Sequence, residues 1–272
     1  MNILEKNFAQ GFIRMCNDGS AQGWHERNGG NLSYRLKDEE VELIKDELNY
    51  NEEFVEIGTT VKNLADEYLL VTGSGRFFRN IVLKPKENIG IIQIDNSGEK
   101  YRIVWGLNKG AKPTSELPSH LMNHEVKKIN TNNTHRVIYH CHPANIIALT
   151  FVLPLDNKLF TRELWEMATE CPVVFPEGVG VVKWMVPGGK PIAVVTSQLM
   201  KKYNVAIWAH HGIFCSGEDF DLTFGLAHTV EKSAEILVKV LSIRPDKLQT
   251  ITTENFKDLA LDFNVRLSEE II

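Results

Sequence analysis

The stretch GIIQIDNSGEKYRIVWG, residues 90–106, holds two β-rich runs, GIIQID and YRIVWG, joined by NSGEK. A glycine-containing turn between two such runs predicts a β-hairpin, since glycine relieves the steric cost of reversing the chain. A hairpin pairs its strands antiparallel, so the sheet that contains it is not wholly parallel. Around it, strand-like and helix-like segments alternate. Tyr68 to Thr72, Val137 to His142, most of Pro172 to Val182 and Asn204 to Ala209 have strand composition. Helical spacing marks the N-terminal MNILEKNFAQGFIRMCNDG, Ser115 to Lys128, Phe160 to Glu170, Gly189 to Tyr203 and Leu222 to Leu241. Ser115 is the expected N-cap of its helix, with Pro118 held to the first turn. The class is therefore α/β in the layered sense, with antiparallel pairing, and the hairpin argues against a plain doubly wound sheet.

With 272 residues and 43% hydrophobic content, the chain can bury a core without covalent staples. It has no internal repeat, low-complexity tract or Pro/Gly/Ser-rich linker, so one domain over residues 1–272 is expected. A net charge of -5 offers no basic surface to nucleic acid or an anionic membrane, which leaves small molecules or copies of the same chain as partners. No run approaches the roughly 20 apolar residues that span a bilayer, and the N-terminal stretch reads as a surface helix, not an export signal. Cys16, Cys141, Cys171 and Cys215 form no C-x-x-C pair and read as reduced thiols of a cytoplasmic protein. One segment departs in composition: Lys37 to Tyr68 carries eleven acidic residues against three lysines, a balance of -8, and is expected to be a solvated insertion with some helix.

The chemistry begins at RVIYHCHPANIIALT, residues 136–150. Side chains alternate along a strand, so His140 and His142 share one face, their Cα atoms roughly 6.5 to 7 Å apart, while Cys141 points to the other as a small buried hydrophobe. Two imidazoles so placed can converge on one ion, and a third ligand is needed. NVAIWAHHGIF offers His210 and His211, which cannot share a face; Gly212 behind them lets the chain turn sharply, and pattern alone does not choose between the two. Glu116 opens a helix, where the dipole favours its charge. Glu116, His120 and His124 follow i, i+4, i+8 spacing, which permits a helical metal site, although such polar rows more often form a solvated face. Three histidines with an open position would make a Lewis acid.

Two further stretches have the composition of anion sites. ERNGGNLS, residues 26–33, carries Asn28, Gly29, Gly30 and Asn31, and VTGSGRFFRN places Thr72, Gly73, Ser74 and Gly75 after a strand. Glycines let backbone N–H groups converge on a phosphate, and Ser, Thr and Asn add neutral donors. Neither loop is a P-loop or a G-x-G-x-x-G. With Thr114 and Ser115 at a helix start, they suggest a phosphate.

The segments GWHERNGGNLS, VTGSGRFFRN, PTSELPSH, IYHCHPANIIALT, LWEMATECPVVFPEGVG, WMVPG and HHGIFCSG…TFGLAHTVEKSAEILVK, in this order, resemble the class II aldolase/adducin family from about Gly11 to about Thr250. The resemblance implies a single three-layer α/β/α domain around a largely antiparallel central sheet, assembled as a ring-shaped homotetramer with active sites at subunit interfaces. It implies one zinc ion per subunit, held by His140, His142 and His211. His210 stands where family members commonly have an apolar residue, so it is a departure, read as a packing group or one that supports a ligand. Glu116 matches the catalytic carboxylate, able to ligate zinc until substrate displaces it. Asn28, Gly30, Asn31, Ser74, Gly75, Thr114 and Ser115 match positions around a substrate phosphate, and Glu170 matches a second catalytic carboxylate that reaches the aldehyde end of the substrate from a neighbouring subunit. The implied reaction is retro-aldol cleavage of L-rhamnulose 1-phosphate to dihydroxyacetone phosphate and L-lactaldehyde through a zinc-stabilised enediolate. Within the family a fuculose-phosphate aldolase or a pentulose-phosphate 4-epimerase shares this chemistry, and WHERNGGNLS and TECPVVFPEGVG favour the rhamnulose phosphate. An adducin-like interaction module conflicts with the intact histidines and Glu116, and an unrelated zinc hydrolase leaves the phosphate-type loops unexplained.

Overall fold

The computed structural model describes residues 2–272. Its strands are β1 (Asn31–Arg35), β2 (Val55–Glu56), β3 (Tyr68–Thr72), β4 (Ile89–Ile94), β5 (Lys100–Gly106), β6 (Val137–Cys141), β7 (Gly180–Val182), β8 (Val205–Trp208) and β9 (Gly212–Gly217). Its helices are α1 (Asn7–Ala21), α2 (Asp38–Glu42), α3 (Pro85–Asn88), α4 (Leu117–Asn130), α5 (Ala144–Leu149), α6 (Asn157–Trp165), α7 (Cys171–Val174), α8 (Lys190–Met200), α9 (Phe220–Ile243) and α10 (Thr253–Asp262). The strands form one sheet in the order β2-β5-β4-β3-β1-β6-β9-β8-β7. The predicted hairpin is β4 and β5, paired antiparallel, and every neighbouring pair is antiparallel except β7 with β8.

Alternation along the strands sorts the interior into two layers. On one side Leu32, Leu70, Val137, Tyr139, Cys141, Ile207, Ile213 and Cys215 pack with Phe8, Phe12 and Met15 of α1 and Leu226, Val230 and Leu237 of α9. On the other, Leu69, Val71 and Ile92 meet Leu117 and Leu121 of α4, and Ile138, Trp208 and Phe214 meet Ile192 and Met200 of α8. Both layers of helices cover the sheet, so its central strands β1, β6, β8 and β9 are buried along their whole length. Polar side chains on such strands must find partners inside the protein. Among the described residues, no helix is long and apolar enough to cross a membrane.

Three local expectations are corrected. The apolar run after Pro172 is mostly not a strand: Cys171–Val174 turns as a short helix with proline in its first turn, where its missing N–H costs nothing, and only Gly180–Val182 pairs. The preceding helix starts at Asn157, because Asp156 caps it by accepting the Leu159 N–H at 2.9 Å, and it ends at Trp165. The acidic segment is not all solvated: its acids lie mostly at the surface, but Ile57, Val61 and Leu64 are buried in the layer with Leu69 and Val71, and β2 extends the sheet edge.

Candidate active site

β6 delivers two imidazoles to its C-terminal end. His140 is fully buried, its ring stacked on Phe214 with centroids 4.4 Å apart. Its Nδ1–H donates to the Ile213 carbonyl at 2.9 Å, which fixes the tautomer and leaves a lone pair on Nε2. His142, one residue past the strand, donates its Nδ1–H to Glu26 Oε1 at 2.6 Å. With each ring holding its single proton on Nδ1, the two Nε2 lone pairs face each other at 3.2 Å. Two lone pairs at that separation repel unless a cation lies between them. Ligands on a tetrahedral zinc with bonds of 2.0 to 2.1 Å sit roughly 3.4 Å apart, so the spacing fits a shared ion.

The third imidazole comes from the β8–β9 turn. Ligand atoms of His140, His142 and His211 all lie within 4.8 Å of one another and can hold a metal ion. His210 does not join them. It takes the positive φ of the turn, 63°, its N–H donates to Thr150 Oγ1 at 3.0 Å, and its exposed ring lies 4.1 Å from that of Phe151. The glycine therefore serves a different purpose from the one expected. Gly212 already lies in β9, where a Cβ would stand 2.3 Å from the Cys141 carbonyl oxygen and 2.9 Å from His142 Cδ2; it permits close approach, and His210 makes the turn. Burial, reinforced by the neighbouring His142 and His211, holds the His140 pKa well below its ordinary value. Burial and then His142 lower His211 to about 4. Both are neutral near pH 7, the form a metal requires.

Glu116, not Ser115, is the N-cap residue of α4, and its own side chain makes no cap bond. Thr114 Oγ1 accepts the Glu116 N–H at 3.2 Å instead, so the carboxylate is spared for the cleft. Its Oε2 lies 3.4 Å from His140 Nε2 and accepts from Asn31 Nδ2 at 2.8 Å. Register explains the grouping: Asn31 of β1 sits directly opposite His140 of β6. Burial raises the Glu116 pKa, against the opposing pull of the Asn31 hydrogen bond and of His142. The helical site of Glu116, His120 and His124 does not form, nor do these residues make a solvated face. His120 and His124 are fully buried, bound to Ser33 Oγ of β1 at 2.6 and 2.8 Å.

The glycine-rich loops close the cleft. Gly30 has φ 72°, and a Cβ there would meet His25 Nδ1 at 2.3 Å and the His140 carbonyl oxygen at 2.7 Å, so no side chain fits. His25 braces this loop: it stacks on Phe78 at 3.7 Å, donates from Nδ1 to the Gly29 carbonyl at 3.0 Å and accepts at Nε2 from the Tyr139 hydroxyl at 2.7 Å. One cleft of about 190 Å³ is lined by Asn28, Gly30, Asn31, Ser74, Gly75, Thr114, Ser115, Glu116, His140, His142 and His211, with Pro187. Glu170 is not brought there. It is exposed at the start of α7 and lines a separate cavity with Ala168, His228 and Lys232. Sequence reasoning missed Glu26, His25 and Ser33. The available signals were the position of HERN just before the glycine loop and the pair Asn31 and Ser33, two polar residues on one face of a buried strand.

Residues 10–238 match the family described as Class II Aldolase and Adducin N-terminal domain. The chain belongs to that family. It is 51% identical over 264 residues to the rhamnulose-1-phosphate aldolase of Mannheimia succiniciproducens, with 97% of each chain covered. It is 47% identical to the protein of the same name from Escherichia coli O157:H7 (strain EC4115 / EHEC), covering 97% of this chain and 96% of that one. Among solved structures, a sugar-phosphate aldolase from Thermotoga maritima superposes with a TM-score of 0.74 at 27% identity, over 87% of this chain and 95% of the other. The chain is thus a class II aldolase, a lyase, and the expected fold of helices layered on a mostly antiparallel sheet is the one observed.

Proposed function

We propose that this aldolase, acting as a single domain, cleaves L-rhamnulose 1-phosphate to dihydroxyacetone phosphate and L-lactaldehyde. One observation carries the reading: in a chain half identical to aldolases named for that substrate, three imidazoles, a buried carboxylate and two glycine loops meet in one cleft. Zinc held by His140, His142 and His211, one ion per subunit, would supply Lewis-acid stabilisation of the negative charge that develops on the substrate, worth several kcal/mol. The chain's own groups move the protons. Breaking the bond between C3 and C4 leaves its electron pair on C3, which must be protonated, while the C4 hydroxyl loses its proton and becomes the aldehyde. Glu116, beside His140, protonates C3, or removes that proton in the condensation direction, and its raised pKa suits a group that must both hold and release a proton.

Asn28, Gly30, Asn31, Ser74, Gly75, Thr114 and Ser115 cradle the phosphate, and this remote binding orients the reacting carbons. Asn31 has a second task, since its amide N–H is already directed at Glu116. Glu170 does not line the cleft of its own chain; in a homotetramer with sites at subunit interfaces it serves the neighbour's cleft, taking the C4 hydroxyl proton directly or through a water. The four buried, unpaired cysteines accord with a cytoplasmic enzyme. The test is turnover of L-rhamnulose 1-phosphate beside L-fuculose 1-phosphate and a pentulose phosphate, with Glu116→Gln as control. The parent should prefer the rhamnulose phosphate, and Glu116→Gln should lose roughly 10²- to 10⁴-fold in kcat while keeping its metal. Faster turnover of either other sugar phosphate would overturn the substrate assignment.

A further inference from the structure

Behind Glu116 a row of buried polar side chains crosses the sheet face under α4. Asn31 Nδ2 donates to Glu116 Oε2 at 2.8 Å, so the Asn31 carbonyl oxygen is left to accept, and the group facing it is His120 Nε2. His120 therefore carries its proton on Nε2, and its bare Nδ1 accepts from the Ser33 hydroxyl at 2.6 Å. Ser33 Oγ in turn accepts from His124 Nε2–H at 2.8 Å. Every bond points the same way, from His124 toward the carboxylate. Burial lowers the pKa of His120 to about 3 and that of His124 well below its ordinary value, so each ring has one proton to place.

The far end sets the direction. His124 Nδ1 is buried and has no hydrogen-bond partner. In the direction described, that atom is a lone pair. Reversing the row would put an N–H there with nothing to accept it, and would turn the Asn31 carbonyl oxygen toward the Glu116 carboxylate. Orphaned buried N–H groups are rarer in proteins than under-used acceptors, and two facing acceptors repel.

We propose that Ser33, His120 and His124 are positioning residues for Glu116: their one-way hydrogen-bond row locks the Asn31 amide with its NH2 toward the carboxylate, holding Glu116 in place beside the histidine cluster. The proposal rests on the aldolase reading of Glu116, and two separable measurements test it. The first is imidazole nitrogen NMR on the zinc-loaded protein. His120 and His124 should both appear as Nε2–H tautomers, and Ser33→Ala, which takes the hydroxyl away from both rings, should make each a mixture. The second is steady-state kinetics on L-rhamnulose 1-phosphate at unchanged zinc content. Ser33→Ala should lower kcat roughly 10- to 100-fold with little change in KM, as expected when a supporting hydrogen bond is lost. His124→Leu should do the same, whereas His124→Gln, which keeps an N–H for Ser33, should retain most of kcat. If Ser33→Ala does not fold, the two His124 variants decide. A His120 Nδ1–H tautomer in the parent, a parental kcat in Ser33→Ala or His124→Leu, or equal losses in His124→Leu and His124→Gln overturns the proposal. A parent inactive on this sugar phosphate defeats the substrate assignment instead, and the tautomers alone then judge the positioning row.

Discussion

Two groups of histidines lie on the same side of the sheet and have opposite fates. In the cleft, His140 and His142 spend their Nδ1 protons on Ile213 and Glu26, and their Nε2 lone pairs face each other with only the cleft between. Under α4, both nitrogens of His120 and Nε2 of His124 are taken by Ser33 and Asn31. Burial lowers the pKa of His140 as it does those of His120 and His124, so charge does not distinguish these rings. The difference is that the cleft brings lone pairs face to face for a ligand, whereas under α4 the unanswered one, on His124 Nδ1, is buried by itself. A histidine site is thus recognised by what its imidazoles are not already bound to.

The largest effect expected on this contrast comes from His142→Ala. It should cost about 10³-fold or more in kcat/KM, at ~1.4 kcal/mol per tenfold, and should strip the protein of stoichiometric zinc on dialysis. Retained zinc at parental affinity would show that the cleft does not need this imidazole. Next is Glu26→Ala, which leaves the ligand but removes the carboxylate that orients it at 2.6 Å. Zinc affinity, read by competition with a chromogenic chelator, should fall roughly 10- to 100-fold; no change would mean that the Glu26 contact is incidental.

A third expectation concerns the buried imidazoles as a group. Burial lowers His25 and His120 to about 3 and His135 to about 4, from an ordinary 6.5. Below the ordinary value the unfolded chain binds protons that the folded one refuses, so stability is fully present above about 6.5 and drains away as pH falls toward about 4 to 3. Thermal midpoints of the chelator-treated protein at constant ionic strength should drop between about pH 7.5 and pH 5.5, before carboxylates of ordinary pKa titrate appreciably. A flat profile over that interval contradicts the buried, neutral assignment. The smallest effect is His210→Ala. With an exposed ring packed on Phe151 outside the cluster, it should change kcat/KM by no more than about twofold, within ~0.5 kcal/mol. A loss comparable to that of His142→Ala would move His210 into the site.

Local sequence pattern was enough for part of this. The hairpin of β4 and β5 excluded a parallel sheet, and the period of a strand put His140 and Cys141 on opposite faces, where they are found. The H-x-H pair, Glu116 at a helix start and the two glycine loops could each be picked out because the cue lies within a few residues. The apolar run after Pro172 misled for the same reason: composition suits a buried strand, and only the proline in the first turn of α7 marks the helix. Glu26 and Ser33 were not legible as parts of a site, since each meets its partner across a large sequence gap, 116 residues between Glu26 and His142 and 87 between Ser33 and His120.

By itself, then, the sequence determined the layered class, the two histidines of β6 and the polar, glycine-rich character of the cleft, because periodicity and turn chemistry act between near neighbours. Local pattern left open which residue of the pair after β8 turns inward; the tertiary structure turns His211 in, as the family resemblance implied, and ties His210 to Thr150. It also decided that Glu170 stands apart from the cleft of its own chain. Those outcomes depend on hydrogen-bond partners supplied by other strands and helices, and the pairing of β1 with β6 and the docking of α4 are what bring those partners within reach.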